Sequence, residues 1–454
     1  MQEDKHKQLH IDLELNNDSV WRMMDKIRGN NESIKHQIVG LLTYKYLSEN
    51  FKNNSDDIGY NLDEDLYYEN LLINKGNAIN ILKKGIDQIT HQNDNIHAAD
   101  VFYDLFDFID FENFNDNNVW LLFIENVEKL CSQTRATIGE IIISVTKYDL
   151  SKRGIKSGEL KPREEMIKLI TTNQKDVKNI YDPYTDEATL LAEIGNIINV
   201  ENYYGQHPDR EKCVLAKMTL LANDVNYKNI FIKCNDISEI INWDVKFDLC
   251  VSMPPINLKK FKIYEDERFK RFTPRRSEFA YLLDMFYNLD NNGTIKMIVA
   301  DGVLFSSPDK NITKYLVDNE LISSIIGLPE GLLDTARIQT ALITINKKPT
   351  EEGIYYLNIR NAETNRLGRK IVSIEDIDKY VKLLSTKEEQ ELISKIVIID
   401  DIRENDYNLS INRYVDSEIL EPIDIKKTIL NINEIKKELK QVDEKLNEKI
   451  GGLF

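Results

Sequence analysis

Apolar residues recur at three- and four-residue spacing along the first third of the chain. Residues 12 to about 145 include VWRMMDKIRG and SIKHQIVGLLTYKYLSENF, in which this spacing predicts amphipathic helices. The acidic and aromatic stretch YDLFDFIDFENFND (103–116) is predicted to hold helix ends and loops. We therefore predict an N-terminal helical domain over residues 1–150.

The pattern changes at about residue 179, where short β-rich runs begin to alternate with helical ones. Helices are predicted over 186–197, about 208–223 and about 277–289. Strand–helix alternation at this spacing predicts an α/β domain, over residues 151–410, whose mostly parallel sheet is covered on both faces. The predicted strands are 179–181, 200–205, 229–233, 247–252, 295–300, 321–328, 341–346 and 354–359.

Two turns of this domain are candidates for a ligand site. Ligands of open α/β sheets bind beyond the carboxyl ends of the strands, and YDPYTDEA (181–188) and VSMPPIN (251–257) each follow a predicted strand. A nucleotide-like cofactor at such a turn usually meets glycines, which let the backbone approach closely. Here the bend from Tyr184 to Glu187 contains two acids and no glycine.

A long helix is predicted near the end of the chain, within a C-terminal extension over residues 411–454. From Ile425 onward the apolar positions follow a spacing close to a heptad seam, and Gly451-Gly452 ends it. Such a seam needs a partner helix, in another chain or in this chain's own helical domain. The seam residues that we assign to partner binding are Ile425, Ile429, Ile432, Ile435, Leu439, Val442 and Leu446.

Length and composition limit the class of protein. At 454 residues the chain exceeds one ordinary core, so two or three domains are expected. It contains no apolar run long enough for a membrane span and begins with a polar segment unlike a signal peptide. Its four cysteines are far apart, which fits a reduced, cytoplasmic protein better than a disulfide or zinc framework, and no metal site is expected.

The net charge of −17 argues against a generally basic, nucleic-acid-coating surface. One segment, residues 257–276, is locally basic and interleaves aromatic residues, as suits a phosphate-lined groove with stacking. A solvated, charged loop is the alternative interpretation. The candidate DNA-binding residues are Lys259, Lys260, Lys262, Arg268, Lys270, Arg271, Arg275 and Arg276.

From about residue 18 to 454 the chain resembles the methylation (M) subunit of type I restriction-modification systems, a DNA adenine-N6 methyltransferase. The resemblance rests on KPREEMIKLI (161–170), YGQHPDREKCVLAKMTLLAND (204–224), SEFAYLLDMFYNLDNNGTIKMIVADGVLF (277–305) and LSINRYVD (409–416). It implies a Rossmann-like domain with a seven-stranded sheet and S-adenosylmethionine as cofactor. It also implies a specificity (S) subunit, double-stranded DNA, and another M-type or a restriction subunit as partners.

The cofactor motifs depart from the family pattern. The family's Asp-Pro-x-x-Gly-Ser-Gly keeps Asp182 and Pro183, but its last three residues are Asp186-Glu187-Ala188. Where the family has an acidic residue that binds the ribose hydroxyls, this chain has His207, and a neutral histidine accepts through only one nitrogen. Asp236 still matches the family's acid near the cofactor adenine.

The catalytic motif departs in the same way. The family's Asn-Pro-Pro-aromatic reads Met253-Pro254-Pro255-Ile256. The asparagine and a proline carbonyl would accept hydrogen bonds from the adenine amine, and the aromatic ring would stack on the flipped-out base. Methionine has no amide acceptor and isoleucine no π-face, while the two prolines remain.

Three functions are compatible with these residues. The first is a degenerate methylase that clamps DNA or assembles a complex with a specificity subunit. The second is an active adenine-N6 methyltransferase with divergent motifs. The third is an M-subunit mimic that regulates or inhibits by binding protein, which fits the net charge of −17.

Overall fold

The structure, a computed structural model, is described for the parts of the chain that follow. The described residues are 31–53, 58–91, 95–147, 163–256, 266–306, 308–329, 339–349, 353–360, 374–415 and 436. The chain divides into two compact units, Met1–Val415 and Asp416–Phe454, and all described residues except 436 belong to the first. The predicted seam from Ile425 to Leu446 therefore lies outside the described residues, as do Lys259, Lys260 and Lys262.

Six α-helices lie within the described residues of the N-terminal region, and a helical region is what the apolar spacing predicts. Their cores are apolar, with Trp120, Phe123 and Phe102 fully buried. Short polar side chains begin two of them, because Asn95 and Asp116 accept hydrogen bonds from the first backbone N–H groups. The helices are α1 Asn31–Asn53, α2 Tyr68–Ile73, α3 Ala78–His91, α4 Ile96–Phe102, α5 Asn117–Gln133 and α6 Ile138–Lys147.

Where the structure describes the α/β region, it forms one sheet of nine strands, in the order β3-β2-β1-β4-β5-β7-β6-β8-β9. Five of its eight strand pairs are parallel, so a mostly parallel sheet is confirmed. The count exceeds the seven strands that the resemblance implies. Ile354–Asn358 coincides with the predicted strand 354–359, whereas Ser394–Val397 has no predicted counterpart, and both extend the sheet beyond β6. The strands are β1 Asp176–Asp182, β2 Asn199–His207, β3 Ile230–Cys234, β4 Phe247–Ser252, β5 Leu289–Ala300, β6 Ile322–Leu328, β7 Thr340–Asn346, β8 Ile354–Asn358 and β9 Ser394–Val397.

Helices cover both faces of the sheet, as predicted. Neighbouring strand residues alternate between two cores: Ile180 and Tyr203 join the core shared with the N-terminal helices, whereas Tyr181 and Tyr204 join the opposite one. The helices of this region are α7 Glu164–Thr171, α8 Thr189–Gly195, α9 Arg210–Ala222, α10 Ser277–Asn288, α11 Lys310–Asp318, α12 Ile374–Thr386, α13 Ile399–Glu404 and α14 Ile411–Tyr414.

Ion pairs join the N-terminal region to α9. The acids come from the aromatic stretch after α4, which contains no helix until Asp116 begins α5. Lys217 Nζ of α9 donates to Asp104 Oδ1 at 2.7 Å, and Arg210 pairs with Asp107. The helical region is therefore held against the sheet by ion pairs as well as by the shared apolar core.

Candidate cofactor and base-binding site

The carboxyl ends of β2, β1 and β4 lie side by side and bring the predicted motifs together. The three strands are parallel neighbours, with Asp182 opposite Gly205 and Tyr181 opposite Cys250. The turn after β1, His207 at the end of β2, and the Met253 segment after β4 therefore share one edge of the sheet. This is the edge at which the sequence predicts a ligand.

The turn after β1 keeps a backbone shape that suits glycine although it contains none. Asp186 and Ala188 both adopt left-handed conformations, with φ of 46° and 56°. These are the two positions at which the resemblance expects glycine. A left-handed non-glycine residue costs roughly 1–2 kcal/mol. Helix α8 consequently begins at Thr189 rather than at 186, where the apolar pattern would begin it.

A cluster of four charged side chains occupies this turn. The Glu187 side chain is 1% exposed, and its Oε1 accepts from Lys35 Nζ at 2.5 Å and from Lys212 Nζ at 3.1 Å. Lys212 Nζ also lies 2.9 Å from Asp186 Oδ1. Two lysines, one from α1 and one from α9, therefore balance the two acids, and we call these four residues the turn cluster. Buried carboxylates are stable when they are paired in this way.

A direct contact between side chains also joins α1 to α9. His36 Nε2 of α1 lies 2.7 Å from Glu211 Oε1 at the start of α9. The hydrogen bond from His36 lowers the pKa of Glu211. Helix α1 is thus bound to α9 and to the turn after β1 through consecutive residues.

Asp182 is fixed between two strands. It is buried, and its Oδ1 accepts from the backbone N–H of Tyr184 and from Ser252 Oγ, both at 2.9 Å. Burial, aided by the negative charge of Asp186, raises the pKa of Asp182 to about 7, although the hydrogen bonds from Tyr184 and Ser252 act to lower it. Its contacts link β1 to β4 and hold the turn. Pro183 beside it is also buried.

His207 is closed off from solvent. Its Nδ1 accepts from the backbone N–H of Asp209 at 3.1 Å, so the neutral ring carries its proton on Nε2. Burial lowers the pKa of His207, which favours this neutral form. Its one acceptor is therefore used within the chain, whereas the hydroxyls of a ribose require acceptors.

The segment after β4 is packed as an apolar loop. Met253 is buried in the core that contains the N-terminal helices, and Ile256 is half-buried against the same core. Pro254 is buried and Pro255 is half-buried. A thioether in the core has no amide oxygen with which to accept from an adenine amine.

Asp236 lies apart from this apolar packing. Its side chain is exposed, and its Oδ1 accepts from the backbone N–H of Ser238 at 2.8 Å. This contact is a local turn of the kind that aspartate commonly makes.

The basic segment is described only from residue 266. Arg268 is buried, and its guanidinium contacts Asp266 at 2.6 Å and Asp284 at 2.9 Å. Because these ion pairs occupy it inside the fold, Arg268 is not part of an exposed basic surface.

The remaining basic residues of the segment lie nearer to solvent. Lys270, Arg271 and Arg275 are exposed, and Arg276 is half-buried. The Arg271 guanidinium lies 4.0 Å from the ring centroid of Tyr315 on α11. That stacking orders one cation of the group on the surface of the α/β region.

With the geometry described, comparison with known proteins identifies the family. The family model for N-6 DNA methylase matches residues 144–422. The chain belongs to this family. Since the match covers more than half of the chain and includes β1 through β9, the motif positions discussed above lie within the N-6 DNA methylase region.

Individual relatives come from type I restriction-modification systems. The type I restriction enzyme MpnII methylase subunit of Mycoplasma pneumoniae is 24% identical over 94% of each chain. The MjaVII methylase subunit of Methanocaldococcus jannaschii is 27% identical over 86% of this chain and 72% of its own. A type I methyltransferase subunit from Streptococcus thermophilus has the same fold, with a TM-score of 0.76 at 21% identity, over 91% of this chain and 100% of that one. The chain is thus similar to M subunits along nearly its whole length.

The family and fold imply S-adenosylmethionine, but the residues present do not fit that cofactor. The carboxylate of the cofactor would meet Asp186 and Glu187, whose charges are already balanced by lysines. His207 has used its acceptor on Asp209. The site therefore lacks both the open turn and the hydroxyl acceptor.

Sequence reasoning missed the residues that complete the turn cluster. Lys35 is distant in sequence and Lys212 lies within a helix, so no local spacing connects them to residue 187. One signal was available: a buried acid in a strand-to-helix turn requires a cation. Ser252, which donates a hydrogen bond to Asp182, was also missed, because the two residues lie on different strands that no local spacing connects.

Proposed function

We propose that this chain is a catalytically degenerate M-type subunit of a type I restriction-modification complex. In this role it assembles with a specificity subunit and a second M-type or a restriction subunit in the cytoplasm, and helps to hold double-stranded DNA. The observation that carries the proposal is the turn cluster, in which Lys35 and Lys212 neutralise and cover the acids of the former cofactor turn. The apolar packing of Met253 supports it at the base-binding position.

The turn cluster explains why an inactive subunit would keep the methylase fold. Its lysines come from α1 and α9, so the turn binds the N-terminal helices to the sheet. In this account a position that serves the cofactor in active relatives serves domain packing here. Loss of catalysis and retention of architecture then have one physical cause.

Methyl transfer by the assembled complex tests this function. The chain is combined with its specificity subunit and cognate DNA, and transfer of labelled methyl groups from S-adenosylmethionine is measured. We expect no transfer by the wild type. We also expect none by Asp186→Gly/Glu187→Ser/Ala188→Gly, because that variant still lacks the base-binding groups. Methylation by either protein would overturn the proposal.

The active-enzyme alternative has one structural observation in its favour. The turn keeps left-handed backbone at 186 and 188, the conformation that glycine would adopt in a binding turn. If only the base-binding groups were missing, Met253→Asn/Ile256→Phe would produce measurable methyl transfer in the same assay. The proposed function predicts that this double variant remains inactive.

A further inference from the structure

Two cysteines that are distant in sequence meet at the edge of the sheet, beside His207. Cys213 lies in α9 and is buried, whereas Cys234 ends β3 and is exposed. The Cys213 Sγ lies 3.3 Å from the carbonyl oxygen of His207 and 3.7 Å from that of Lys233, the residue before Cys234. Cys234 follows Ile230 and Ile232 on the face of β3 that shares one core with Cys213, so its side chain lies on the side of α9. The fold thus builds a dithiol that sequence spacing does not indicate.

The two sulfurs differ in the way that a reactive pair requires. The neighbouring Cys213 thiol lowers the pKa of Cys234, and the positive charges of Lys217 and Arg210 act in the same direction. The same contact and burial raise the pKa of Cys213. Cys234 is therefore the exposed nucleophile, and Cys213 is the protected partner that can resolve its oxidised form.

The other two cysteines lack these properties. Burial raises the pKa of Cys131 to about 12, and it raises the pKa of the fully buried Cys250 thiol as well. Neither thiol is exposed. They serve as internal controls, because a thiol held in its protonated form is a poor nucleophile.

We propose that Cys213 and Cys234 form a reversible redox pair that a peroxide oxidises to a disulfide. The Cys234 thiolate attacks one peroxide oxygen, the O–O bond breaks, and hydroxide leaves as an S–O bond forms. The Cys213 sulfur then attacks the Cys234 sulfur, the S–O bond breaks, and the oxygen leaves as water with the Cys213 proton. The dithiol loses two electrons, and the peroxide is reduced to water.

The disulfide would fasten α9 to β3 directly beside the turn cluster. Lys212, which holds Asp186 and Glu187, immediately precedes Cys213. The linked cysteines are about 20 residues apart, a loop for which a disulfide constrains the unfolded chain appreciably. Oxidation would therefore hold α9 against the sheet, whether or not the chain binds a cofactor.

The test treats the purified full-length chain with hydrogen peroxide, alkylates the remaining thiols, and maps the digest by mass spectrometry without reductant. We expect a linked peptide pair that contains Cys213 and Cys234 and disappears on reduction. We also expect the thermal midpoint to rise by several degrees on oxidation and to fall back on reduction. The proposal would be overturned if peroxide modified Cys131 before Cys234. It would also be overturned if Cys234 were oxidised while Cys213 remained a free thiol that the alkylating reagent then labels.

Matched variants assign the two roles. In Cys213→Ser, Cys234 should stop at the sulfenic acid, which dimedone traps, whereas Cys234→Ser should leave Cys213 unreacted. Cys131→Ser should form the disulfide at the wild-type rate. Equal peroxide reactivity of Cys213 and Cys234 in these variants would contradict the assignment. If Cys213→Ser fails to fold, Cys213→Ala gives the same trapping readout.

Discussion

Glu187 is stable inside the fold only because two ammonium groups contact it. Its side chain is 1% exposed and that of Lys35 is 7% exposed, so neither is solvated when its partner is lost. Removing one member of such a pair leaves an uncompensated buried charge, which typically costs about 3–5 kcal/mol. We therefore expect the turn cluster to contribute to the free energy of unfolding.

The first prediction concerns Glu187→Gln. It should lower the free energy of unfolding by about 3 kcal/mol, because Lys35 and Lys212 keep their charges and lose their shared acceptor. Chemical denaturation measures the change. The matched control is Glu69→Gln, which breaks the ion pair between Glu69 and Lys52. These two side chains are 58% and 52% exposed, so the control should lower the free energy of unfolding by less than about 1 kcal/mol. Equal losses of unfolding free energy in the two variants would show that the turn cluster contributes no more to stability than an exposed ion pair.

The second prediction concerns Asp182 and pH. Its pKa is about 7 in the folded chain and near 3.8 when unfolded, so the folded state binds the extra proton between these values. The stability contribution of this group is thus present at low pH and is lost as pH rises towards 7, by up to about 4 kcal/mol.

The matched variant is Asp182→Asn, which keeps an acceptor for Tyr184 and Ser252 but cannot titrate. Relative to the wild type, it should gain stability progressively between about pH 4 and pH 7 and hold a constant difference above that range. Unfolding free energies measured across this range provide the check. A difference that is independent of pH would show that Asp182 titrates at an ordinary pKa.

At the scale of elements, the apolar pattern predicts most of the sheet but not its far edge. Strands β1 to β4 are β-rich runs that end in turn residues, and all four are found close to their predicted positions. The sequence SKIV of β9 is short and half polar, and it becomes a strand through pairing with β8. Strand β5 begins at Leu289, earlier than predicted, because the polar residues 290–293 continue the strand.

The site is predictable in position but not in composition. Alternating strands and helices predict which turns meet, and the motif departures predict that Asp186 and Ala188 stand where glycines would, with the acid Glu187 between them. Which groups satisfy those acids depends on α1 and α9 packing together, a tertiary contact that no local pattern encodes. The burial of Arg268 is a similar case, since its partner Asp284 lies on α10.

The third prediction concerns the exposed part of the basic segment. Lys270→Glu/Arg271→Glu should weaken DNA binding by the assembled complex about tenfold and reduce its salt dependence, because each phosphate contact releases counterions. The control Lys84→Glu/Lys129→Glu changes the net charge equally at exposed positions of α3 and α5. A filter-binding titration at two salt concentrations distinguishes them. Equal affinities for the two variants would mean that the segment is only a solvated loop.

At the scale of the whole molecule, the compact first unit ends at Val415, before the heptad seam that the sequence assigns to a partner. The fourth prediction is that a chain cut before Ile423 keeps a folded core and loses binding to the specificity subunit. Circular dichroism and co-purification measure the two properties. A truncated chain that still co-purifies would place the interface elsewhere.

A matched pair of seam variants sharpens that test. Ile429→Ser/Ile432→Ser removes two apolar seam positions, whereas Lys426→Ser/Lys437→Ser alters charged positions off the seam. Loss of the partner is expected for the first variant alone, because the seam residues would be the ones that pack against a facing helix. Loss of binding in both variants would indicate a charge-driven contact.

Isothermal titration of S-adenosylmethionine into the purified chain, alone and with its specificity subunit, tests directly whether the turn still accepts the cofactor. We expect no binding heat up to millimolar cofactor in either state, because Lys35 and Lys212 hold the acids of the turn where the cofactor would lie. Binding at micromolar concentration in either state would show that the site is functional, and would favour the divergent but active enzyme.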